Sequence, residues 1–408
     1  MEQRGFVFQS ENLLSPAEAV ATFLARVPLA PLGTEKVALD DAHGRVLALQ
    51  VIADRDYPIG PRSAMDGFAV RADDVPGRLT IAGDLAMGVT WPHALEPGKA
   101  LRIPTGGMLP EGADAVVPVE DSVLEGENVR VSIALERGEN VNERASDMRA
   151  GDRVLEPGTQ LTAPHVALLA TLGVTAVPAF VRPRIAILSN GDELIAPDAT
   201  PKPGQIRDSN RYAIAATLRA FGADPLHFPT ISDEPGELER ALRDALARAD
   251  AVVLTGGSSV GERDRTPAAI ASLGEPGVVV HGLRVKPGKP TVFAAAGKKL
   301  ILGLPGNPTS AVVILQAVAA PLIAALTGAS SKNAVVTARL TAPVKSRPGW
   351  TWYVPVALEH EAEGWAAHPL PLRSSTVSII ARADGYATLP EDVEGHPAGT
   401  TLTVTRFI

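Results

Sequence analysis

The sequence predicts a multidomain α/β protein, in which a mostly parallel three-layer α/β domain carries a β-rich module and a small terminal β domain. Three observations predict it. First, from Arg184 onward apolar runs at 185–188, 227–231, 251–254, 278–281 and 300–302 alternate with helical stretches at 209–221, 236–248 and 266–273; strand–helix alternation makes a parallel sheet with helices on both faces. Second, the helical signal nearly vanishes between Ser63 and about Arg149, where short apolar runs at 79–81, 100–103, 115–119 and 129–131 alternate with Gly/Pro turns. That is a β-rich module, an insertion or a separate barrel. Third, after Gly328 the helices stop again, and 335–340, 352–358 and 401–407 read as strands.

Taken in order, Ser15 caps a first helix with Pro16 at its first position, and Val20, Phe23 and Leu24 recur at helical spacing. A strand and a short helical piece follow between Val37 and Val51. The run 311–326 is too short to span a membrane and contains Gln316 and Pro321, so it reads as one buried helix. The 408 residues suit more than one domain. A net charge of −8 and the lack of a basic, aromatic-interleaved stripe argue against nucleic-acid binding. With no cysteine, disulfides, thiolate catalysis and Cys-ligated metals are excluded. The start, Met-Glu-Gln-Arg-Gly, lacks the apolar core of a signal peptide, and together with the cysteine count this fits a cytoplasmic protein.

Function is written most clearly in Leu254-Thr-Gly-Gly-Ser-Ser-Val-Gly-Glu-Arg-Asp264. Gly256, Gly257 and Gly261 leave backbone N–H groups open to an anion, Ser258 and Ser259 add donors, and Asp264 stands where a metal or proton is handled. Alone, this loop fits a plain glycine turn equally well. It is followed by Lys286-Pro-Gly-Lys-Pro290, two ammonium groups on one stiff turn, for which a bound oxyanion is the economical explanation and two solvated lysines the bland one. Next comes Leu302-Gly-Leu-Pro-Gly-Asn-Pro-Thr-Ser310, where Pro305 and Pro308 lead into an apolar helix and Asn307, Thr309 and Ser310 decorate its N-terminus. Three such transitions in one α/β segment point to a binding crevice at the strand ends. Glu193, Asp233 and Asp264 follow successive strands, so their carboxylates can converge; oxygen ligands beside a phosphate suggest Mg²⁺. Asp208 and Asp233 could equally be caps or Asx turns. No His spacing of zinc-site type occurs among the eight histidines.

Seven motifs carry a resemblance. Ser-Ala-Met-Asp-Gly-Phe-Ala (63–69), Pro-Thr-Gly (104–106), Gly-Asp-Glu-Leu (191–194), Asp-Ser-Asn-Arg (208–211), Gly-Gly-x-Ser-x-Gly-x-x-Asp (256–264), Lys-Pro-Gly-Lys-Pro (286–290) and Leu-Pro-Gly-Asn-Pro (304–308) stand in the order found in the molybdopterin molybdenumtransferase family, bacterial MoeA and the E domain of gephyrin. The match covers nearly the whole chain. It implies an elongated homodimer of four-domain subunits: a molybdopterin-binding α/β domain (1–33 with 183–327), a small α/β connecting domain (34–52 with 152–182), an inserted β-rich domain (53–151) and a C-terminal β barrel (328–408). It also implies insertion of molybdenum from molybdate into adenylylated molybdopterin, with release of AMP in a Mg²⁺-dependent step. Carried over by motif, Asp66, Thr105, Asp147, Glu193 and Asp264 would be catalytic, and Glu193, Asp233 and Asp264 would hold the metal. Gly256, Gly257, Ser259, Gly261, Lys286, Lys289, Pro305, Asn307 and Pro308 would bind substrate. Each site would draw on both subunits, and the adenylyltransferase and acceptor molybdoenzymes would be further partners; no nucleic acid and no membrane enters.

The chain departs from the family pattern at Asn142-Glu-Arg-Ala-Ser-Asp147, which keeps the aspartate of an otherwise arginine- and glycine-containing run. It departs again at Pro348-Gly-Trp-Thr-Trp352, where an arginine often follows the glycine, and Ser374-Ser-Thr-Val-Ser378 matches the family's Ser/Gly-rich loop only loosely. Two other readings stay open, a molybdopterin adenylyltransferase and a cofactor-binding or scaffolding paralogue. Molybdate-dependent AMP release separates all three.

Overall fold

The computed structural model describes residues 13–256, 266–330, 334–371 and 376–407. Two compact units divide the chain: Gln50–Glu156, and the remainder.

In the larger unit, six strands form one sheet in the order Asp224–His227, Arg184–Ser189, Ala251–Thr255, Lys299–Leu304, Val292–Ala296 and Pro276–His281. The first four run parallel; Val292–Ala296 is antiparallel to the neighbour on either side, so Pro276–His281 at the edge points the same way as the first four. Alternate side chains serve opposite faces, as a pleated strand requires. Ile185, Ile187, Val253 and Leu302 pack with Phe23, Ile214 and Leu218 on one side. Ala186, Leu188, Val252 and Ile301 meet Leu238, Leu242 and Ile270 on the other. Helices Pro16–Arg26 and Asn210–Ala220 therefore cover one face, Glu237–Arg248 and Thr266–Ala271 the other. The three-layer expectation holds. The antiparallel strand Val292–Ala296 is an addition, and the strand expected over 227–231 lies earlier, at Asp224–His227.

The single helix expected over 311–326 is two, Pro308–Ala317 and Ala320–Thr327, bent by 54°. Pro321 explains the break: it brings no N–H and its ring clashes with the carbonyl four residues back, at Ala317. Both helices are largely buried. Among the described residues no single helix is long and apolar enough to cross a membrane.

After Gly328, five strands close on themselves in the order Thr351–Glu361, Gly364–Pro369, Val335–Leu340, Thr401–Arg406, Gly385–Leu389 and back to Thr351–Glu361. This is a barrel around Ala338, Val356, Ala367, Leu389 and Val404. A short helix, Val377–Arg382, interrupts a region read from the sequence as free of helices. Outside the ring, Val285–Lys286 pairs in parallel with Thr351–Trp352, so the barrel borrows a strand from the α/β segment.

The unit Gln50–Glu156 is built on six strands in the order Ala115–Pro118, Gly67–Val70, Lys99–Ile103, Gly77–Asp84, Asn128–Val131 and Ser122–Glu125. The sequence allowed a barrel here; this strand order is open. Phe68, Val70, Leu79 and Val117 fill one side, Ala69, Leu101, Ile103 and Val116 the other.

Candidate functional site

The chain leaves strand Arg184–Ser189 toward Asp224–His227 on one side, then crosses back to Ala251–Thr255 on the other. Strand order reverses there, and in open α/β sheets a crevice opens at the carboxyl ends of strands at such a switch. Here the crevice measures about 750 Å³ and is lined by Asn190, Glu193, Asn210, Thr255, Gly256 and the run from Pro305 to Pro308.

Asn190 closes the gap at the switch. Its backbone N–H donates to the Thr255 carbonyl (2.9 Å) and its side-chain Nδ2 to Asp233 Oδ1 (2.7 Å). The chain then turns through Gly191, over which the Glu193 carboxylate folds back. Gly191 N–H donates to Ile231 O (3.0 Å), and Asp233 N–H donates to Asp192 Oδ1 (3.2 Å). Glu193 and Asp233 thus flank the same two-residue turn, both exposed, at the end of the sheet where the crevice opens. Gly256 stands across from Asn190 with φ +84°, and a Cβ there would lie 2.0 Å from the Asn190 carbonyl oxygen. Only glycine fits both demands.

The third side comes from the helix Pro308–Ala317. Asn307 is its N-cap residue and Pro308 its first, as read from the sequence, and both line the crevice with Pro305. Thr309 and Ser310 do not serve as crevice donors. They are buried, and Thr309 Oγ1 donates to Thr376 O (3.0 Å). Asn210 reaches across to this loop: its Nδ2 donates to Gly306 O (2.7 Å), leaving its buried Oδ1 without a hydrogen-bond partner among the described residues. Asp208 takes its structural role. Its Oδ1 accepts from Arg211 N–H (3.1 Å) at the start of helix Asn210–Ala220, and its Oδ2 pairs with Arg211 Nε at 3.1 Å.

The two lysines, read from the sequence as oxyanion contacts, each stand near an indole ring. Lys286 Nζ stands 4.0 Å from the Trp352 ring centroid and Lys289 Nζ 5.9 Å from that of Trp350. Indole faces attract cations, which eases the crowding of the two charges. Pro290, at the end of their loop, lines the crevice. Gly257, Ser259, Gly261 and Asp264 lie outside the described residues. Among the described residues no three acidic or histidine side chains are close enough to hold a metal ion.

In the unit Gln50–Glu156, Asp66 and Thr105 are clasped together. Asp66 Oδ1 accepts from Thr105 N–H (2.7 Å) and Thr105 Oγ1 (2.9 Å). These two donors, the backbone one foremost, hold the Asp66 carboxyl below its ordinary value. A concavity of about 380 Å³ opens beside Asp66, Asp84, Arg102 and Pro104. Asp147 follows strand Val141–Asn142, which pairs with Arg62–Ser63 just before Asp66. It is exposed, and its N–H donates to Tyr57 O (3.0 Å). Arg144, in the same loop, pairs with Asp56 Oδ2 at 2.6 Å.

Asn190, Asn210 and Thr255 were not singled out from the sequence, although the last two stand inside motifs that were and Asn190 immediately precedes one. Their signal was available: short polar residues at the last position of an apolar strand or the first of a helix face the open end of the sheet.

Known proteins align with this chain along its length. The MoeA N-terminal region (domain I and II) matches residues 14–173, a probable molybdopterin binding domain residues 186–325, and the MoeA C-terminal region (domain IV) residues 337–407. The chain belongs to the MoeA family. The molybdopterin molybdenumtransferase of Bacillus subtilis (strain 168) is 34% identical over 384 residues, 91% of this chain and 89% of that protein. That of Synechocystis sp. is 32% identical over 396 residues, covering 95% and 98%. The crystal structure of the molybdopterin biosynthesis MoeA protein from Pyrococcus horikoshii OT3 superposes with a TM-score of 0.80 at 28% identity, over 97% of this chain and 100% of that one. Within this MoeA chain, the region matched to the molybdopterin binding domain contains every described residue named above as lining the crevice. Asp66, Thr105 and Asp147 fall in the matched N-terminal region.

Proposed function

We infer that this chain is a molybdopterin molybdenumtransferase of molybdenum cofactor biosynthesis, and we propose that it inserts molybdenum from molybdate into adenylylated molybdopterin and releases AMP. One observation carries the reading: the crevice at the strand-order reversal, between Asn190 and Gly256, lies in the segment matched to a molybdopterin binding domain. Its chemistry suits an anionic, hydrogen-bonding ligand. Asn190 and Asn210 are held by hydrogen bonds that their side-chain amides donate to Asp233 and Gly306, so the walls are preorganised. The N-terminus of helix Pro308–Ala317 offers backbone N–H groups of the kind that receive phosphate.

Glu193 and Asp233, which flank the turn at Gly191–Asp192 from two loops, present hard oxygen donors that fit Mg²⁺, with Asp264 as a proposed third ligand. The ion, when bound, would neutralise charge on the phosphoanhydride as it breaks. Lys286 and Lys289 would meet the remaining phosphate charge. Asp66, Thr105 and Asp147 are proposed as catalytic residues contributed in a homodimer whose sites draw on both subunits.

Purified protein supplied with adenylylated molybdopterin should release AMP only when molybdate is added, and more slowly when Mg²⁺ is withheld. AMP release independent of molybdate, or none at all, would sink the transferase reading. The homodimer has its own test: an inactive Asp66→Asn chain mixed with an inactive Asp264→Asn chain should recover part of the activity. No recovery despite demonstrated subunit exchange would mean that each site is built from one chain.

A further inference from the structure

Three cations gather on two indoles where the barrel meets the lysine loop, and local sequence builds the arrangement. Arg347-Pro-Gly-Trp350 is a tight turn in which Trp350 N–H donates to Arg347 O (3.2 Å). Proline at its second position and glycine with φ +80° at its third are what a type II turn requires. Such a turn brings its first and fourth residues together, and the Arg347 guanidinium carbon lies 5.6 Å from the Trp350 ring centroid. Lys289 Nζ approaches the same ring at 5.9 Å. Two residues on, the parallel pairing of Val285–Lys286 with Thr351–Trp352 sets Lys286 opposite Trp352, with its Nζ 4.0 Å from that centroid.

Acidic groups among the described residues do not neutralise Lys286 or Arg347. Glu391, the nearby carboxylate, bonds to Arg284 (3.3 Å) and Thr351 (3.4 Å). Neither Lys286 nor Arg347 has an ion-pair partner among the described residues, and both are exposed. An indole face orients a cation and eases its crowding, but its quadrupole leaves the full positive charge available to an outside ligand. Arg347 adds something that the lysines lack: a planar fork of donors suited to two oxygens at once.

We propose that Arg347 is the third cation of an oxyanion-binding cluster with Lys286 and Lys289, and that Trp350 and Trp352 are the positioning residues that carry the three. This rests on the reading of the two lysines as contacts for anionic groups of the substrate. The ligand chemistry is a small, multiply charged oxyanion, which molybdate or a phosphoanhydride could supply.

Isothermal titration of the full chain with molybdate, and separately with inorganic pyrophosphate, at ionic strength held constant with NaCl, tests this. Wild-type protein should bind at least one of the two saturably, and the anion that binds names the source. Arg347→Gln, a change on an exposed side chain, should raise the apparent Kd for that anion about tenfold or more, and Arg347→Lys should do so less. Trp350→Phe, which keeps an aromatic face, should stay near wild type while Trp350→Leu weakens binding; a purely space-filling role would not separate them. Should Trp350→Leu fail to fold, the Arg347 series decides alone. If Arg347→Gln binds like wild type while Lys286→Ala and Lys289→Ala are weakened, the third cation is wrong and the lysine reading stands. Unaltered binding in all of them, or no binding of either anion by wild type, overturns both.

Discussion

Asp66 and Thr105 show how much a single contact fixes. The carboxylate receives two donors on one oxygen, and the bond from the backbone N–H outweighs that from the hydroxyl in holding its proton affinity down. The sign follows. A carboxyl whose folded pKa is depressed contributes stability above its unfolded value, about 3.9, and loses it as pH falls through the folded one. In Thr105→Val the hydroxyl is gone but the N–H remains. Titration of the Asp66 carboxyl carbon by NMR should therefore move upward from the wild-type midpoint without reaching that of an unperturbed aspartate. An unchanged midpoint would mean that the hydroxyl contributes nothing. At this scale the sequence was informative where chemistry is local: Asp66 and Thr105 stand 39 positions apart, yet each sat in a glycine-flanked motif. It was silent where partners are distant, as with Lys286, whose indole neighbour lies across a strand pairing that no local spacing announces.

Elements were legible in proportion to their punctuation. The first helix carries Ser15 as cap, Pro16 next and Glu18 three residues on, and the structure closes both bonds of the capping box: Glu18 N–H to Ser15 Oγ at 3.2 Å and Ser15 N–H to Glu18 Oε2 at 2.8 Å. Ser15→Ala removes one orphan donor's partner and should lower stability by about 1 kcal/mol, read as a shift of the urea midpoint at constant slope. A midpoint within error of wild type would show that the buried contacts of Phe23 alone fix this helix. Elements without such marks were missed. Strand Val292–Ala296 reads Val-Phe-Ala-Ala-Ala, which has no alternation because both its faces are buried in the sheet. Helix Val377–Arg382 is too short for its period to register. The break between Ala317 and Ala320 was visible in Pro321, but an unbroken apolar run masked it.

At the scale of the whole molecule, the chain departs into the unit Gln50–Glu156 and returns, and that unit owns two apolar clusters, one around Phe68 and Val117, the other around Leu101 and Val116. Its residues are continuous in sequence, so it should fold alone: an excised 50–156 fragment should unfold cooperatively in urea and show dispersed amide resonances. A fragment lacking both would mean that the rest of the chain is needed to order it. The barrel is a different case, because Val285–Lys286 adds a strand to its closed ring from within the α/β segment. A protease nick or a recombination point in 329–334 would look like a clean domain boundary and would not be one. The severed barrel would keep its closed ring but lose the short strand paired to Thr351–Trp352, and a foreign barrel grafted in its place would have to present an edge that accepts it. In chimaeras of this protein, the segment to exchange is the barrel together with the strand it has borrowed.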